Sequence, residues 1–235
     1  MSCKTILAKE ISASYRDEIR NTIVARGIRP KLVGFLANQD PAAVKYAEST
    51  AKTCAETGVD FEMRKCERKD LENQIVEANE DERVHGIMIY YPVYGDRQVN
   101  ASRSEIVGRP LAALLANDGG KVYSVDINGV QEFYRGSGLK LKKHEVRETD
   151  LQLEDVIPIS DVVITGVPSP TYKIPTSLLR EGVIAINFST YKNFENEVKE
   201  KASIYVPTVG KVTIAMLERN LLRLYDYQYS SSREN

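Results

Sequence analysis

The sequence predicts an α/β protein of two lobes built on parallel, helix-covered sheets, and three observations predict it. Strand-like and helix-like segments alternate, with short connections, from the N-terminus to about Tyr91, the order that yields a parallel sheet with helices on its faces. The first strong strand, Lys31-Leu-Val-Gly-Phe-Leu-Ala37, is nearly all apolar, as a strand buried on both faces is. Ser102 to Asp126 reads as turn, helix, stop and strand with an acid closing the strand, a pattern that nucleotide-binding βαβ units use.

Taken in order, Ile6 to Ala25 is a helix, with Ile11, Tyr15, Ile19 and Ile23 at four-residue spacing. After the 31–37 strand, the loop Asn38-Gln-Asp-Pro-Ala42 leads into a helix that holds Tyr46 and stops at Gly58. Val59–Lys65 is a strand, Asp70–Asn79 a helix and Gly86–Tyr91 a third strand. Pro110 then suits a first helical turn, where its missing N–H would have no partner. Val107, Leu111, Leu114 and Leu115 share one face of that helix, and Gly119 and Gly120 end it. Lys121–Val125 is a short strand. The polar stretch from Asp126 to Ser160, with Lys140, Lys142, Lys143 and His144 as a small basic cluster, reads as a solvated loop, with an anion site as the lesser alternative. Asp161–Gly166 and Gly182–Asn187 are buried strands, Ile204–Pro207 leads to a closing helix over Ile214–Leu224, and Ser230–Asn235 reads as a disordered tail.

Composition narrows the function. With 235 residues, 42% hydrophobic and 28% charged, the chain is an ordinary globular protein of one or two domains. A net charge of −1 offers no electrostatic case for nucleic acid or an anionic membrane. No run reaches the length of a membrane span, and the N-terminus lacks the apolar core of a signal peptide and carries Glu10, Asp17 and Glu18, which a transit peptide avoids. Cys3, Cys54 and Cys66 have no metal or redox spacing, which suits a reducing, cytoplasmic setting. His85 and His144 lie far apart in sequence, and no metal constellation is visible.

On pattern alone, the 102–126 unit leaves two readings open: a dinucleotide site without the usual Gly-rich fingerprint, or a plain α/β unit. The string itself is more specific. Arg103-Ser104-Glu105-Ile106-Val107-Gly108-Arg109-Pro110, followed by Leu-Leu-Ala, resembles the cofactor turn of methylenetetrahydrofolate dehydrogenases, where Gly-Arg-Ser stands in place of Ser102-Arg103-Ser104. The likeness is closest to the fungal, monofunctional, NAD-dependent branch and covers almost everything from Lys4 to Leu224. It implies a folate-binding lobe over residues 1–95 and a Rossmann-like NAD lobe over residues 102–225. Ser102, Arg103 and Ser104 would meet cofactor phosphate or ribose. Val125 and Asp126 would lie at the adenosine end, where an acid hydrogen-bonds the ribose hydroxyls and repels a 2′-phosphate.

The same resemblance assigns the remaining site residues. The family writes a Tyr, then a Lys four residues later, on the helix after the first strand; here these are Tyr46 and Thr50. Its Gln-Leu-Pro strand end is Tyr90-Tyr91-Pro92 here. Tyr46, Thr50 and Tyr90 are therefore the candidate catalytic residues, Tyr46 as the ring lying against the folate. Without the resemblance, Tyr46 reads as a packed helix aromatic. Losing the Lys spares hydride transfer, which needs orientation, and cripples hydrolysis of the methenyl product, which needs proton transfer. Thr165, Gly166, Tyr191 and Lys192 follow the carboxyl ends of strands, where open parallel sheets bind ligands. Thr213 ends Thr208-Val-Gly-Lys-Val-Thr213, which resembles the family's Gly-Pro-Met-Thr segment near the nicotinamide.

One interval departs from the family. Between Gly95 and Ser102 lie only Asp96-Arg97-Gln98-Val99-Asn100-Ala101, too polar and too short for the buried strand that aims a cofactor turn. The family's Asp-Val-Asp-Gly-like and Pro-Cys-Thr-Pro-like motifs are absent, which reads as an internal deletion that removes the first strand of the second sheet. The expected function is NAD-dependent oxidation of 5,10-methylenetetrahydrofolate in one-carbon metabolism and purine biosynthesis, by a cytoplasmic homodimer. A non-catalytic deletion product that binds folate or dimerises, and an NAD-binding regulator, are the alternatives.

Overall fold

The computed structural model describes residues 2–91, 93, 107–137 and 143–230. In chain order its elements are β1 (Lys4–Thr5), α1 (Ala8–Arg26), β2 (Lys31–Leu36), α2 (Pro41–Thr57), β3 (Asp60–Lys65), α3 (Leu71–Glu80) and β4 (Gly86–Ile89). Then come α4 (Gly108–Asn117), β5 (Val122–Asp126), β6 (Gly129–Arg135), β7 (His144–Thr149), α5 (Leu153–Val156) and β8 (Val162–Thr165). The last are β9 (Ile184–Asn187), α6 (Val198–Lys201), β10 (Ile204–Val206) and α7 (Gly210–Ser230). Two compact units result: Leu7–Arg97 with Val209–Asn235, and Met1–Ile6 with Gln98–Thr208.

The first unit is a parallel sheet of order β3-β2-β4. Its central strand is apolar on both faces because both faces are covered. Leu32 packs with Ile19, Ile23, Cys54 and Leu221 of the helices, while Val33 and Phe35 pack on the other side with Leu71, Ala78 and Val84. Gly34 sits where a Cβ would come within 2.9 Å of the Phe61 and Tyr90 rings, so the strand must be bare there. α2 begins on Asp40, whose Oδ1 accepts the N–H groups of Ala42 and Ala43 at 2.9 Å, with Pro41 in the first turn. It ends on Gly58 at φ 91, a left-handed stop that glycine adopts without strain.

The second unit holds two sheets. One is parallel, of order β1-β10-β9-β8, with a core of Ile174, Val183, Ala185, Phe194 and Tyr205. The other, β5-β6-β7, is antiparallel, and Ala112 and Ala116 of α4 pack on its Phe133.

These arrangements correct four sequence expectations. β5, expected as a parallel strand of the nucleotide-binding sheet, turns back through Ile127-Asn128 and pairs antiparallel with β6. Ile127 and Asn128 make that turn, neither at positive φ, and Gly129, at φ 123, follows as the first residue of β6. The polar 126–160 stretch is therefore two strands and a short helix rather than a solvated loop; His144 opens β7, and Lys140 and Lys142 lie outside the described residues. The closing helix is longer than expected and belongs to the first unit, because its apolar face (Leu217, Leu221 and Leu222) fills that core. Conversely, Lys4 and Thr5 leave the first lobe to pair with Ile204 and Tyr205 of β10. Among the described residues no strand pairs with the outer edge of β8, and residues 94–106, where the sequence places the missing strand, lie outside the described residues.

Candidate functional site

In the first unit Tyr46, Thr50 and Tyr90 come together. Tyr46 and Thr50 are one turn apart on α2, and Tyr90 follows β4. The Tyr46 and Tyr90 rings meet edge to face, with centroids 6.0 Å apart and planes at 73°. The Thr50 hydroxyl donates to the Tyr46 carbonyl at 2.9 Å and is fully buried. It is a packing group tied to its own helix. Tyr90 is 3% exposed, and its phenol oxygen has no hydrogen-bond partner of normal geometry. Burial pushes that phenol up to about 12, with the nearby Thr50 hydroxyl opposing the shift, so Tyr90 stays protonated at neutral pH. Its backbone carbonyl accepts from Asn38 Nδ2 at 3.0 Å, and Asn38 Oδ1 accepts the Asp40 N–H at 2.9 Å, which ties the strand end to the start of α2.

Thr213, expected beside the nicotinamide, lies in the first unit with Tyr46. It lies in the first turn of α7, donates to the Gly210 carbonyl at 2.8 Å, and shares a hydrogen bond with the Tyr46 phenol at 3.2 Å. Because the Thr213 proton is already used, the phenol is the donor. Sequence order hid this placement, since 167 residues separate the two positions.

Behind these rings lies a buried acid that the sequence reading missed. Glu218 of α7 is 0% exposed, and neither carboxylate oxygen has a hydrogen-bond partner of normal geometry. Burial raises it to about 7, partly offset by Cys54 and Thr57 of α2 and by Arg16. The same burial, with Glu218 beside it, pushes the Cys54 thiol up. Fully buried, Glu218 takes no part in the surface that Tyr46, Thr50 and Tyr90 form.

In the second unit Thr165, Gly166 and Tyr191 gather at the carboxyl ends of β8 and β9. Asn187, at the end of β9, donates from Nδ2 to the carbonyls of Ser189, Tyr191 and Pro207 at 3.2, 2.9 and 3.0 Å. Ser189 Oγ and Asn193 Nδ2 donate to the Val167 carbonyl at 2.9 and 3.0 Å, and Thr165 Oγ1 reaches Asn193 Oδ1 at 3.4 Å. These buried amides, which the sequence reading also missed, hold the loops that carry the exposed Tyr191 and Lys192. The Lys192 carbonyl accepts from Lys173 Nζ. Gly166 lies directly under the Phe188 ring, 2.0 Å from where a Cβ would stand.

Val125 and Asp126 close β5 in the same unit, and Asp126 Oδ1 accepts the Asn128 N–H at 2.6 Å. No backbone ladder joins β5 to β8 among the described residues. Ser102, Arg103 and Ser104 lie outside the described residues. His85 is committed to structure in the first unit, its Nδ1 accepting the Lys31 N–H at 2.9 Å, and His144 is in the second.

Comparison with known proteins gives a consistent picture. The sequence profile described as tetrahydrofolate dehydrogenase/cyclohydrolase, catalytic domain, matches residues 5–107. The Methylenetetrahydrofolate dehydrogenase [NAD(+)] of Schizosaccharomyces pombe is 43% identical, with 97% of this chain and 94% of that protein covered. That of Dictyostelium discoideum is 36% identical over 94% of each chain. The solved structure of the NAD-dependent 5,10-methylenetetrahydrofolate dehydrogenase from Saccharomyces cerevisiae superposes with a TM-score of 0.88 at 39% identity, covering 99% of this chain and 100% of that one. The S. pombe alignment spans 302 positions and this chain has 235 residues, so at least 67 positions (302 − 235) have no counterpart here.

Proposed function

Since this chain belongs to the tetrahydrofolate dehydrogenase/cyclohydrolase family, we propose that it carries the machinery for NAD-dependent oxidation of 5,10-methylenetetrahydrofolate to 5,10-methenyltetrahydrofolate, without cyclohydrolase activity. The observation that carries this reading is the Tyr46–Tyr90 surface with Thr50, and no ionisable group, one turn from Tyr46. Tyr46, its phenol held by Thr213, offers a fixed ring against which a pterin can lie. Hydride loss from the one-carbon bridge is helped by the adjacent nitrogen lone pair, so these residues need only orient the substrate. Water attack on the methenyl product needs proton transfer; Thr50 has no proton to spare and Tyr90 holds its own.

NAD, when bound, supplies the hydride acceptor. The residues present fit it: a carboxylate at the end of β5 has the acceptor chemistry for a ribose diol and repels a 2′-phosphate. We assign Asp126 that role, Arg103 and Ser104, with Ser102 before them, the phosphates or ribose, and Val125, Thr165, Gly166, Tyr191 and Lys192 the cofactor's surroundings. The family resemblance supports a cytoplasmic homodimer that supplies one-carbon units for purine biosynthesis.

The test uses a chain whose missing positions are restored from a fungal relative. Supplied with methylenetetrahydrofolate and NAD, it accumulates methenyl product that disappears at the buffer rate, and NADP serves poorly. Enzyme-dependent hydrolysis of the methenyl compound, or equal use of NADP, contradicts the assignment of Thr50 or Asp126 respectively.

A further inference from the structure

Glu218 is a buried acid that the proposed oxidation leaves unused, and it lies in the same helix pair that holds Tyr46. Within the first unit α1, α2 and β4 pack against α7. From α2, Cys54 and Thr57 face Glu218, with Glu56 beyond them, and from α1 comes Arg16. β4 carries no ionisable side chain, and His85 before it stacks on Tyr225, two turns further along α7. Arg219, next to Glu218, turns to Glu18 of α1 at 3.4 Å. None of these groups meets the carboxylate with a hydrogen bond of normal geometry. The Thr57 hydroxyl donates within α2, to the Thr53 and Cys54 carbonyls at 3.1 and 3.2 Å. Arg16 gives Nη1 to Glu56 at 2.7 Å, while its Nε, also buried, has no hydrogen-bond partner. The Cys54 thiol, pushed up by burial, keeps its proton and is a weak donor.

Two polar contacts therefore join α7 to α2: Thr213 on the Tyr46 phenol, and Glu218 against Cys54 and Thr57. Five residues of helix separate them, about 7.5 Å of rise, and a helix moves as a unit over that length. A neutral carboxyl fits the closed gap between the helices. A carboxylate there has lost its hydration and found no partner, which favours a shift of α7 that brings it water or the Arg16 Nε–H. Such a shift carries Thr213 with it. We propose that Glu218 is a positioning residue for the folate ring: with its proton in place α7 seats against α2 and Thr213 holds the Tyr46 phenol, and loss of the proton loosens that seat. This role rests on the function proposed above. Burial puts the proton release at about 7, so folate affinity is complete below that pH and falls above it. By reciprocity, folate binding strengthens the hold of Glu218 on its proton.

The experiment measures, by calorimetry at pH 6 and pH 8, the affinity of the 235-residue chain for tetrahydrofolate carrying a single glutamate. The expected result is about a fivefold loss of affinity from pH 6 to pH 8 relative to Glu218→Gln, the worth of about one hydrogen bond. Taking Glu218→Gln as the reference cancels the ligand's own titration. Thr213→Val binds more weakly at both pH values and loses the pH dependence, a result that a purely structural Glu218 would not give. Parallel pH profiles in the unmodified chain and Glu218→Gln, or a pH dependence that survives Thr213→Val, overturns the proposal. If tetrahydrofolate binds at neither pH, the proposed function has failed for this chain, and amide exchange at pH 8 decides the coupling. A difference in exchange between the unmodified chain and Glu218→Gln that is larger at Ile214–Leu217 of α7 than at Leu32–Phe35 of β2 sustains it, and an equal difference overturns it.

Discussion

The two parallel sheets of this protein meet the same requirement in opposite ways. In the first unit β2 is paired on both sides, by β3 and β4, and buried on both faces. In the second, β8 is paired only with β9 among the described residues, and Val162 on it is 46% exposed. The strand that precedes a cofactor turn aims it, and the sequence places the missing strand in the interval between Gly95 and Ser102. The comparison teaches that the proposed folate and cofactor sites rest on separate cores. Losing a strand from one sheet leaves the aromatic surface of the other intact.

The largest expected effect follows from that separation. Restoring the missing positions raises NAD-dependent oxidation of methylenetetrahydrofolate on the order of 100-fold or more, because a misplaced cofactor costs about that much even at a displacement near 1 Å. Folate affinity changes little. Steady-state assays of both chains at matched folate saturation check this, and equal turnover breaks the comparison.

The next effect belongs to the first unit alone. Glu218 is raised to about 7 in the folded protein, against 4.5 for its ordinary value. The folded state therefore holds a proton that the unfolded chain has released between these two pH values. Its stabilising share is complete below about 4.5, is lost as pH rises, and levels off above about 7, a change on the order of 3 kcal/mol. Glu218→Gln should raise the denaturation midpoint at pH 8 and do little at pH 5. A pH-independent difference contradicts the buried, uncompensated carboxylate.

A smaller effect compares one substitution in both units. Gly34→Ala brings a Cβ to 2.9 Å from the half-buried Phe61 and the buried Tyr90 rings and costs about 1 kcal/mol, with loss of folate affinity. Gly166→Ala places its Cβ 2.0 Å from two atoms of the half-buried Phe188 ring, which must swing outward, and costs about 1–3 kcal/mol. The reverse order in chemical denaturation would show that Phe188 moves aside more readily than Phe61 and Tyr90.

The sequence made the first unit legible because its signals are local. The apolar run at β2, Asp40-Pro41 at the start of α2 and Gly58 at its end each act within a few residues of themselves. The second unit was harder because the pattern that marks a nucleotide-binding βαβ half also fits a helix followed by a hairpin. Asn128-Gly129 was the available signal for the hairpin, and the family likeness of the preceding turn outweighed it. The swaps of β1 and α7 between units were illegible for another reason: a two-residue strand has no period, and an amphipathic helix does not say which core it covers. At the site, Tyr46, Thr50 and Tyr90 came from resemblance. The Tyr46–Thr213 bond and Glu218 depend on how α7 packs and left no local trace.

The edge of β8 that no strand pairs with among the described residues is tested most directly by native-state hydrogen exchange. The Ile184 and Phe188 N–H groups donate to the Asp161 and Thr165 carbonyls, so the alternate residues Val162 and Ile164 turn their own backbone groups to the other edge. In the 235-residue chain the Val162 and Ile164 amides should exchange at least about 100-fold faster than those of Leu32–Phe35 in β2, about 2.7 kcal/mol in opening free energy. Restoring the missing positions should close that gap. Protection of Val162 and Ile164 equal to that of β2 in the chain as it stands would contradict the account, because it would show a strand already paired at that edge.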